Sequence, residues 1–87
     1  MSDLDQRFSK AQTDVKTLTE RPDNDTMLKL YSLYKQGSNG DVTVKRPGMM
    51  NFVARAKFDA WQTLQGTSQD DAKTQYIALV EQLLSGS

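Results

Sequence analysis

The residues of this chain with the clearest capacity for chemistry are two tyrosines and a lysine. They lie on one side of a short helical segment. Tyr31 and Tyr34 share a helical face with Met27 and Leu30, because these positions recur at spacings of three and four residues. Lys35 follows Tyr31 by four residues and flanks the same face. We interpret this face as the wall of a binding site. The alternative is an ordinary core stripe with a solvated lysine at its edge.

The composition argues against catalysis. The chain has 87 residues, enough for a single domain that we place at residues 1–87, and it contains no cysteine and no histidine. The usual zinc ligands, the neutral-pH general base and most nucleophilic dyads are therefore missing, so we expect no enzyme, no metal site and no cofactor. No apolar run approaches the length of a membrane span, and the first residues are acidic. We expect a cytoplasmic protein with no integral membrane segment.

Charge is distributed unevenly although the formal net charge is zero. Residues 29–57 hold six basic residues and one acid, a net charge of +5, whereas residues 1–28 and 58–87 carry −2 and −3. A basic block on a neutral protein favours a discrete anionic ligand over a nucleic-acid backbone, which usually requires a domain that is basic overall. Chance clustering is the alternative.

Apolar residues at helical spacing predict an all-α fold of four helices. The first helix runs from about residue 3 to residue 19. Ser2 or Asp3 caps its start, and the residue before Pro22 ends it because proline drives its predecessor out of helical geometry. Lys16 lies on the edge of the apolar stripe. Taken alone, such a lysine is most simply a solvated side chain.

The second helix is followed by a long connection. The helix covers residues 25–36, with Asp23, Asn24 and Asp25 as competing caps and Gly37 as its end. Residues 37–50 then contain three glycines and a proline and have no helical period. Fourteen extended residues reach roughly 45 Å, more than twice the ~18 Å of a twelve-residue helix. The chain can therefore return to the other end of the second helix and begin a third helix parallel to it.

The third and fourth helices also have clear boundaries. Asn51 caps the third helix and Gly66 ends it, with Lys57 at the border of its buried face. Ser68 starts the fourth helix as a capping residue. Tyr76 lies in the apolar row of that helix, where a tyrosine is more often a core residue than a ligand contact.

With these elements in place, the sequence resembles the acyl-CoA-binding proteins, small cytosolic carriers of long-chain acyl-CoA thioesters. The resemblance extends from Phe8 to Leu83 and preserves the family's order and spacing of motifs. Its motifs are Met27-Leu28 with Tyr31 to Gln36, Gly40 to Val42, Arg46 to Gly48, Ala56 to Trp61, Gly66 to Ser68, and Asp71-Ala72 with Tyr76-Ile77.

This resemblance implies a four-helix bundle with up-down-down-up topology and an overhand crossover between the second and third helices. It implies that Lys35 and Lys57, with the Tyr31 hydroxyl, meet the ribose phosphate of coenzyme A, and that Tyr76 lies near the adenine-ribose end. Met27 and Leu28 are then expected to line the groove for the acyl chain. The complete set of implied ligand contacts outside this groove is Lys16, Tyr31, Ser32, Leu33, Tyr34, Lys35, Lys57 and Tyr76.

Some positions depart from the family pattern. Val53 stands where a lysine is usual and Phe58 where a tryptophan is usual, and Gly37-Ser38 replaces the common Ala-Thr pair. Val53 removes one polar contact expected near the middle of the ligand but leaves the phosphate-binding lysines intact.

The sequence thus predicts a non-enzymatic, monomeric carrier of long-chain acyl-CoA, with no nucleic-acid partner. The alternative from another class is a helical protein-interaction module whose apolar groove docks an amphipathic helix. Such a groove does not require two lysines beside tyrosines, and this feature separates the two hypotheses.

Overall fold

The computed structural model describes residues 3–86 and contains four α-helices, with no strand among those residues. The helices are α1 (Asp3–Asp14), α2 (Asn24–Asn39), α3 (Phe52–Gln62) and α4 (Gln69–Gly86), and a short 3-10 turn, Val15–Thr17, follows α1. The all-α prediction is confirmed. Ser2, one of the two caps proposed for the first helix, lies outside the described residues.

Ring contacts between the helices fix their directions. Phe8 on α1 meets Tyr34 near the end of α2, with ring centroids 6.2 Å apart, while Val15 shares a cleft with Met27 near the start of α2, so α1 and α2 are antiparallel. Phe8 also meets Tyr76 of α4 edge to face at 5.2 Å.

Helices α1 and α4 run in the same direction, and so do α2 and α3. Asp5 pairs with Lys73 at 2.6 Å, three residues before the contact between Phe8 and Tyr76 on each helix. On the other side of the bundle, Lys57 lies over the Tyr31 ring, and four residues later on both helices Trp61 lies under Lys35. The topology is therefore up-down-down-up with a crossover between α2 and α3, as predicted, and the crossover covers residues 40–51 where 37–50 was expected.

The core lies among α1, α2 and α4. Its buried side chains recur at helical spacing on each of the three helices, and burying each large one contributes roughly 1.5–3 kcal/mol of transfer free energy. Leu33 and Val80 are each only 1% exposed and mark the centre. The buried cluster is Phe8, Ala11, Leu30, Leu33, Ala72, Tyr76, Ile77 and Val80.

The predicted end of the second helix is wrong. Gly37 does not stop α2, which continues to Asn39, and Gly40 terminates it with φ of 82°. Gly37 is buried, and a Cβ atom there would lie 3.1 Å from side-chain atoms of both Phe8 and Lys73. Its missing side chain thus lets the side chains of Phe8 and Lys73 pack against the backbone of α2, and Gly40 is the glycine that supplies the positive φ at the helix end.

Two other helices are shorter than predicted. The α-helical part of the first ends at Asp14, and the chain tightens into the 3-10 turn before Leu18 becomes extended. The hydroxyl of Thr17 donates a hydrogen bond of 2.6 Å to the Asp14 carbonyl, one of the acceptors left open at the helix end. The third helix ends at Gln62, and turns connect it to Gly66, whose φ is 90°.

Predicted N-caps are confirmed for α2, α3 and α4, whereas Asp3, the other cap proposed for the first helix, is the first residue of α1 itself. Asp23, one of the three competing caps of the second helix, accepts a hydrogen bond from the Thr26 amide at 2.8 Å. Asn51 accepts one from the Ala54 amide at 3.3 Å. On α4, the Ser68 hydroxyl accepts one from the Asp71 amide at 3.0 Å. Each satisfies an amide that has no partner inside its helix.

A hydrogen-bond network holds the end of α2 against the crossover and α3. The buried Gln36 amide donates to a carboxylate oxygen of Asp41 at 2.8 Å, and the Gly66 amide donates to the same oxygen at 2.8 Å. The Trp61 indole donates to the Gly40 carbonyl at 2.9 Å. The crossover therefore begins at a fixed point, which sets how α3 lies beside α2.

Within residues 3–86, no helix combines the length and the apolar character that crossing a bilayer requires.

Candidate functional site

One wall of a cleft of about 650 Å³ is the face of α2 singled out in the sequence. Met27, Leu30, Tyr31 and Tyr34 all line this first cleft, so the predicted common face exists. Tyr76 of α4 closes the cleft on one side, and the other side is the segment that leaves α1. The remaining lining residues are Val15, Lys16, Leu18, Thr19, Glu20, Arg21 and Pro22.

A second cleft, of about 570 Å³, lies between α2 and the start of α3. Met27 and Tyr31 line both clefts, so the two are separated by side chains of a single helix face. Of these two clefts, Leu28 lines only the second. Its other lining residues are Arg21, Asn24, Phe52, Val53, Ala56 and Lys57. Most of this lining is apolar, whereas its rim carries Arg21 and Lys57, so one elongated ligand with an apolar and an anionic part matches the combined surface.

The two central lysines lie over aromatic rings in the seam between α2 and α3. The Lys57 ammonium is 5.3 Å from the Tyr31 ring centroid, and the Lys35 ammonium is 5.0 Å from that of Trp61. A ring face attracts a cation without occupying its hydrogen-bond donors. The rings therefore help to place both lysines on one side of the bundle while their N–H groups stay available for an anion.

Lys16 and Tyr76 reach the site from helices other than α2. Lys16 is an exposed residue in the 3-10 turn and lines the first cleft, so its position supports the binding interpretation over that of a solvated lysine remote from the site. Tyr76 is only 5% exposed, and burial raises the pKa of its phenol, with a smaller contribution from Tyr34. The phenol stays protonated at neutral pH and can donate a hydrogen bond.

Ser32 and Leu33 are not brought to the two clefts. Both are buried: Leu33 is a central core residue, and the Ser32 hydroxyl donates a hydrogen bond of 2.9 Å to the Lys29 carbonyl of its own helix. Successive helical residues point about 100° apart, so a continuous run from Tyr31 to Lys35 cannot share one face. The structure gives these two side chains a packing role, and it brings the other predicted contacts to the clefts or to the lysine seam.

Arg21 is the residue that sequence reasoning missed. It was interpreted only as part of the stop before Pro22, yet it is exposed and lines both clefts. The sequence does show this basic residue shortly before the start of α2. The direction of its side chain, however, depends on how the chain leaves the first helix.

The departures from the family pattern have distinct positions. Val53 is 68% exposed and lines the second cleft, whereas Phe58 is buried, with 8% exposure, on the opposite side of α3 from that cleft. The substitution at 53 therefore changes the surface of the second cleft, and the one at 58 changes packing.

Two clefts that share one helix face as a wall, and that are lined by cations, tyrosines and apolar side chains, define a helical bundle suited to bind an amphipathic small molecule. Comparison with known proteins agrees with this class. The family model described as "Acyl CoA binding protein" matches residues 5–80. The chain belongs to the acyl-CoA-binding protein family, a family of binding proteins.

Individual relatives are similar over nearly their whole length. An acyl-CoA-binding protein of Dictyostelium discoideum is 49% identical over 76 residues, covering 87% of this chain and 90% of the relative. Acyl-CoA-binding protein homolog 1 of Caenorhabditis elegans is 47% identical over 78 residues, covering 90% and 91%. The crystal structure of acyl-CoA-binding protein 2 of Oryza sativa superposes with a TM-score of 0.91 at 41% identity, covering 95% of this chain and 90% of that one.

Proposed function

We propose that this protein binds long-chain acyl-CoA and carries it as an intracellular pool and transport protein. The observation that carries the proposal is the shared wall of α2, where Met27 and Tyr31 line the mostly apolar second cleft together with Lys57 and also line the first cleft, with Lys16 and Tyr76. An acyl tail gains from burial of its methylenes at about 0.8 kcal/mol each, and phosphates gain charge-assisted hydrogen bonds from lysines. Membership of the acyl-CoA-binding protein family supports the same ligand.

The roles of individual residues follow from their positions. We propose that Lys35, Lys57 and the Tyr31 hydroxyl bind the ribose phosphate, and that Tyr34, Lys16 and Tyr76 contact the rest of the nucleotide. Met27 and Leu28, which face the second cleft, hold the start of the acyl chain.

Binding proceeds without conversion of the ligand, with one acyl-CoA per monomer and no metal or cofactor. The chain has neither histidine nor cysteine, which removes the side chains that most often attack or protonate a thioester. Absence of cysteine also suits the reducing conditions of the cytoplasm, where we place the protein.

Calorimetry with three matched ligands tests the proposal. Palmitoyl-CoA carries both tail and phosphates, free coenzyme A lacks the tail, and palmitate lacks the phosphates. We expect palmitoyl-CoA to bind at least about a hundredfold more tightly than either fragment, because each missing half removes several kcal/mol. Mass spectrometry of the recovered ligand should show an intact thioester.

The same calorimeter distinguishes the alternatives. Palmitate bound as tightly as palmitoyl-CoA would mean a general lipid groove. Tight binding of an amphipathic helical peptide, with none of acyl-CoA, would mean a protein-interaction module.

A further inference from the structure

The crossover ends in a tight turn that exposes two methionines. The Asn51 amide donates to the Gly48 carbonyl at 3.1 Å, so Met49 and Met50 are the central residues of a four-residue turn. They are 76% and 89% exposed, and Phe52, directly after the turn, is 76% exposed. Turn centres are usually polar or glycine, so large apolar side chains there are unexpected in a surface that faces only water. We refer to Met49, Met50 and Phe52 as the apolar tip.

The apolar tip is held in place by α3. Arg46 lies just before the turn, and its guanidinium donates two hydrogen bonds, of 2.9 and 2.7 Å, to the two carboxylate oxygens of Asp59. Asn51, the last residue of the turn, caps α3 through the Ala54 amide. Because both sides of the turn are tied to α3, the apolar tip has a defined direction relative to the second cleft.

The surroundings of the apolar tip are positively charged. Residues 42–58 contain four basic residues and no acid. Arg46 is paired with Asp59, and Arg55 also interacts with that carboxylate. Lys45 is next to Arg46 in the crossover, and Lys57 lines the second cleft together with Phe52 of the tip. An apolar projection within a basic surround matches the interface of a bilayer that contains anionic phospholipid, where methionine and phenylalanine enter the headgroup region and lysine and arginine contact the phosphates.

We propose that the apolar tip docks this protein on anionic bilayer surfaces. Phe52 belongs both to the tip and to the wall of the second cleft, so docking places that cleft at the lipid boundary. An acyl chain could then pass between bilayer and cleft with little exposure to water. That last consequence rests on the function proposed above, whereas docking itself does not require a ligand.

The geometry favours a bilayer over a protein partner. A symmetric dimer formed through the tip brings the same basic residues of two copies together, which is repulsive. A helical peptide requires a groove, but neither Met49 nor Met50 lines either cleft. Side chains that project from a turn fit a deformable medium that they can enter.

Sedimentation of the ligand-free protein with vesicles tests the proposal. The vesicles are phosphatidylcholine with phosphatidylserine in a roughly seven-to-three ratio, and pure phosphatidylcholine vesicles provide the neutral comparison. We expect binding to the mixed vesicles that is lost on neutral ones and on adding about 0.5 M NaCl. The double variant Met49→Ser/Met50→Ser should lower the partition coefficient about tenfold, because both side chains that enter the interface become polar.

Leu84→Ser is the matched control, since Leu84 is a partly exposed apolar residue on α4, and it should bind vesicles like the wild type. Circular dichroism verifies the fold of each variant. Calorimetry in solution verifies that the double variant keeps its palmitoyl-CoA affinity, which separates a failure of docking from a failure of ligand binding.

Three results would overturn the proposal. The first is no binding of the wild type to mixed vesicles. The second is equal vesicle binding by the wild type and the double variant. The third is a concentration-dependent dimer, seen by analytical ultracentrifugation and abolished in the double variant, which would make a second copy the occupant of the tip.

Discussion

Lys57 is the residue on which both halves of the proposed site depend. Its ammonium lies over Tyr31, and its side chain also lines the second cleft, so it stands where the polar and apolar parts of a ligand meet. Lys57 lies on α3 and Lys35 on α2, so in the proposed site the two cations reach the ligand from different helices. Such convergence is expected of a phosphate site and is not needed to stabilise the bundle.

We predict that Lys57→Ala weakens palmitoyl-CoA binding about ten- to hundredfold, since a hydrogen bond to a charged group contributes roughly 1.5–3 kcal/mol. Little stability should be lost, because the side chain is exposed. Calorimetry with palmitoyl-CoA and its analogue lacking the ribose phosphate measures the effect, and the variant should discriminate less between the two ligands. Lys29→Ala, an exposed lysine on α2 outside both clefts, is the control. A wild-type ratio of the two affinities in Lys57→Ala would contradict the ribose-phosphate assignment.

Residue spacing was sufficient to predict the cleft wall but not every contact. Met27 and Tyr31 were assigned to one face from their four-residue separation, and they line both clefts. Leu33 was included in a continuous run, and helical geometry turns it into the core. Arg21 could not be found from spacing, because it lies outside a helix and its direction is set by how the extended segment packs.

At the scale of the helices, two glycines illustrate opposite reasons for lacking a side chain. Gly37 is helical, and a Cβ atom there meets Phe8 and Lys73 at 3.1 Å. Gly66 has φ of 90° and has no atom within 4 Å of an added Cβ. An added Cβ atom at Gly37 requires small shifts of two neighbouring side chains, whereas at Gly66 the backbone conformation itself disfavours a side chain.

We predict that Gly37→Ala stabilises the protein slightly, by about 0.5 kcal/mol, because the helical preference of alanine, about 1 kcal/mol, exceeds the cost of moving the flexible Lys73 side chain and shifting the Phe8 ring. By contrast, Gly66→Ala should destabilise by about 1–2 kcal/mol, since it places a Cβ atom in left-handed backbone. Urea unfolding followed by circular dichroism measures both. If Gly37→Ala proves the more destabilising of the two, the packing of α2 against Phe8 is less adaptable than we infer.

Asp41 connects the end of α2 to the turn before α4, and this link responds to pH. Hydrogen bonds from the Gly66 amide and then from the Gln36 side chain lower the pKa of the Asp41 carboxyl below its ordinary value of 3.8. The carboxylate therefore stabilises the folded state fully above the unfolded pKa, and this contribution is lost as the pH falls through the lower folded pKa.

We predict that Asp41→Asn reduces the melting temperature at neutral pH and makes it less dependent on pH below about 4, because the variant has no proton to bind there. Thermal unfolding followed at a series of pH values from neutral to strongly acidic measures this. If the melting temperatures of variant and wild type change with pH in parallel across the whole acidic range, the hydrogen bonds from Gly66 and Gln36 do not depend on the charge of the Asp41 carboxylate.

Helix starts were predictable and helix ends were not. Asp23, Asn51 and Ser68 have short polar side chains that satisfy amides at the next helix start, so their chemistry is local. Whether a glycine ends a helix depends on its surroundings. Gly37 lies under Phe8, and that contact joins residues far apart in the sequence.

On the scale of the whole molecule, the length of the crossover was the informative feature. It predicted that α2 and α3 run in the same direction, and the contacts of Lys57 with Tyr31 and of Lys35 with Trp61 confirm this. Because the helices are parallel, Lys57 of α3 lies over Tyr31 of α2 and, one turn further along, Lys35 of α2 lies over Trp61 of α3. The apolar tip could not be recognised in advance, because the exposure of Met49 and Met50 depends on the turn that residues 48–51 form.

From the uneven charge distribution we derive a final prediction, about the rate of ligand binding. The protein has a formal net charge of zero, so a description by net charge predicts that salt hardly affects its encounter with an anion. Residues 29–57 nevertheless carry +5, and Lys35 and Lys57 of that block lie on the seam beside the clefts. A local field of this kind accelerates the approach of a phosphate-bearing ligand until salt screens it, with a screening length of about 10 Å at 0.1 M.

We predict that the association rate constant of palmitoyl-CoA, kept below its micelle concentration, falls about tenfold as NaCl rises from about 0.02 to about 0.5 M. Stopped-flow fluorescence can follow it, since Trp61 is the single tryptophan and lies beneath Lys35. The double variant Lys35→Gln/Lys57→Gln should lose most of this salt dependence, whereas Lys29→Gln, which changes the same block outside the two clefts, should lose little. The double variant removes two charges and Lys29→Gln removes one, so a loss in Lys29→Gln about half that of the double variant would mean that the block acts only through its total charge, without a focus at the site.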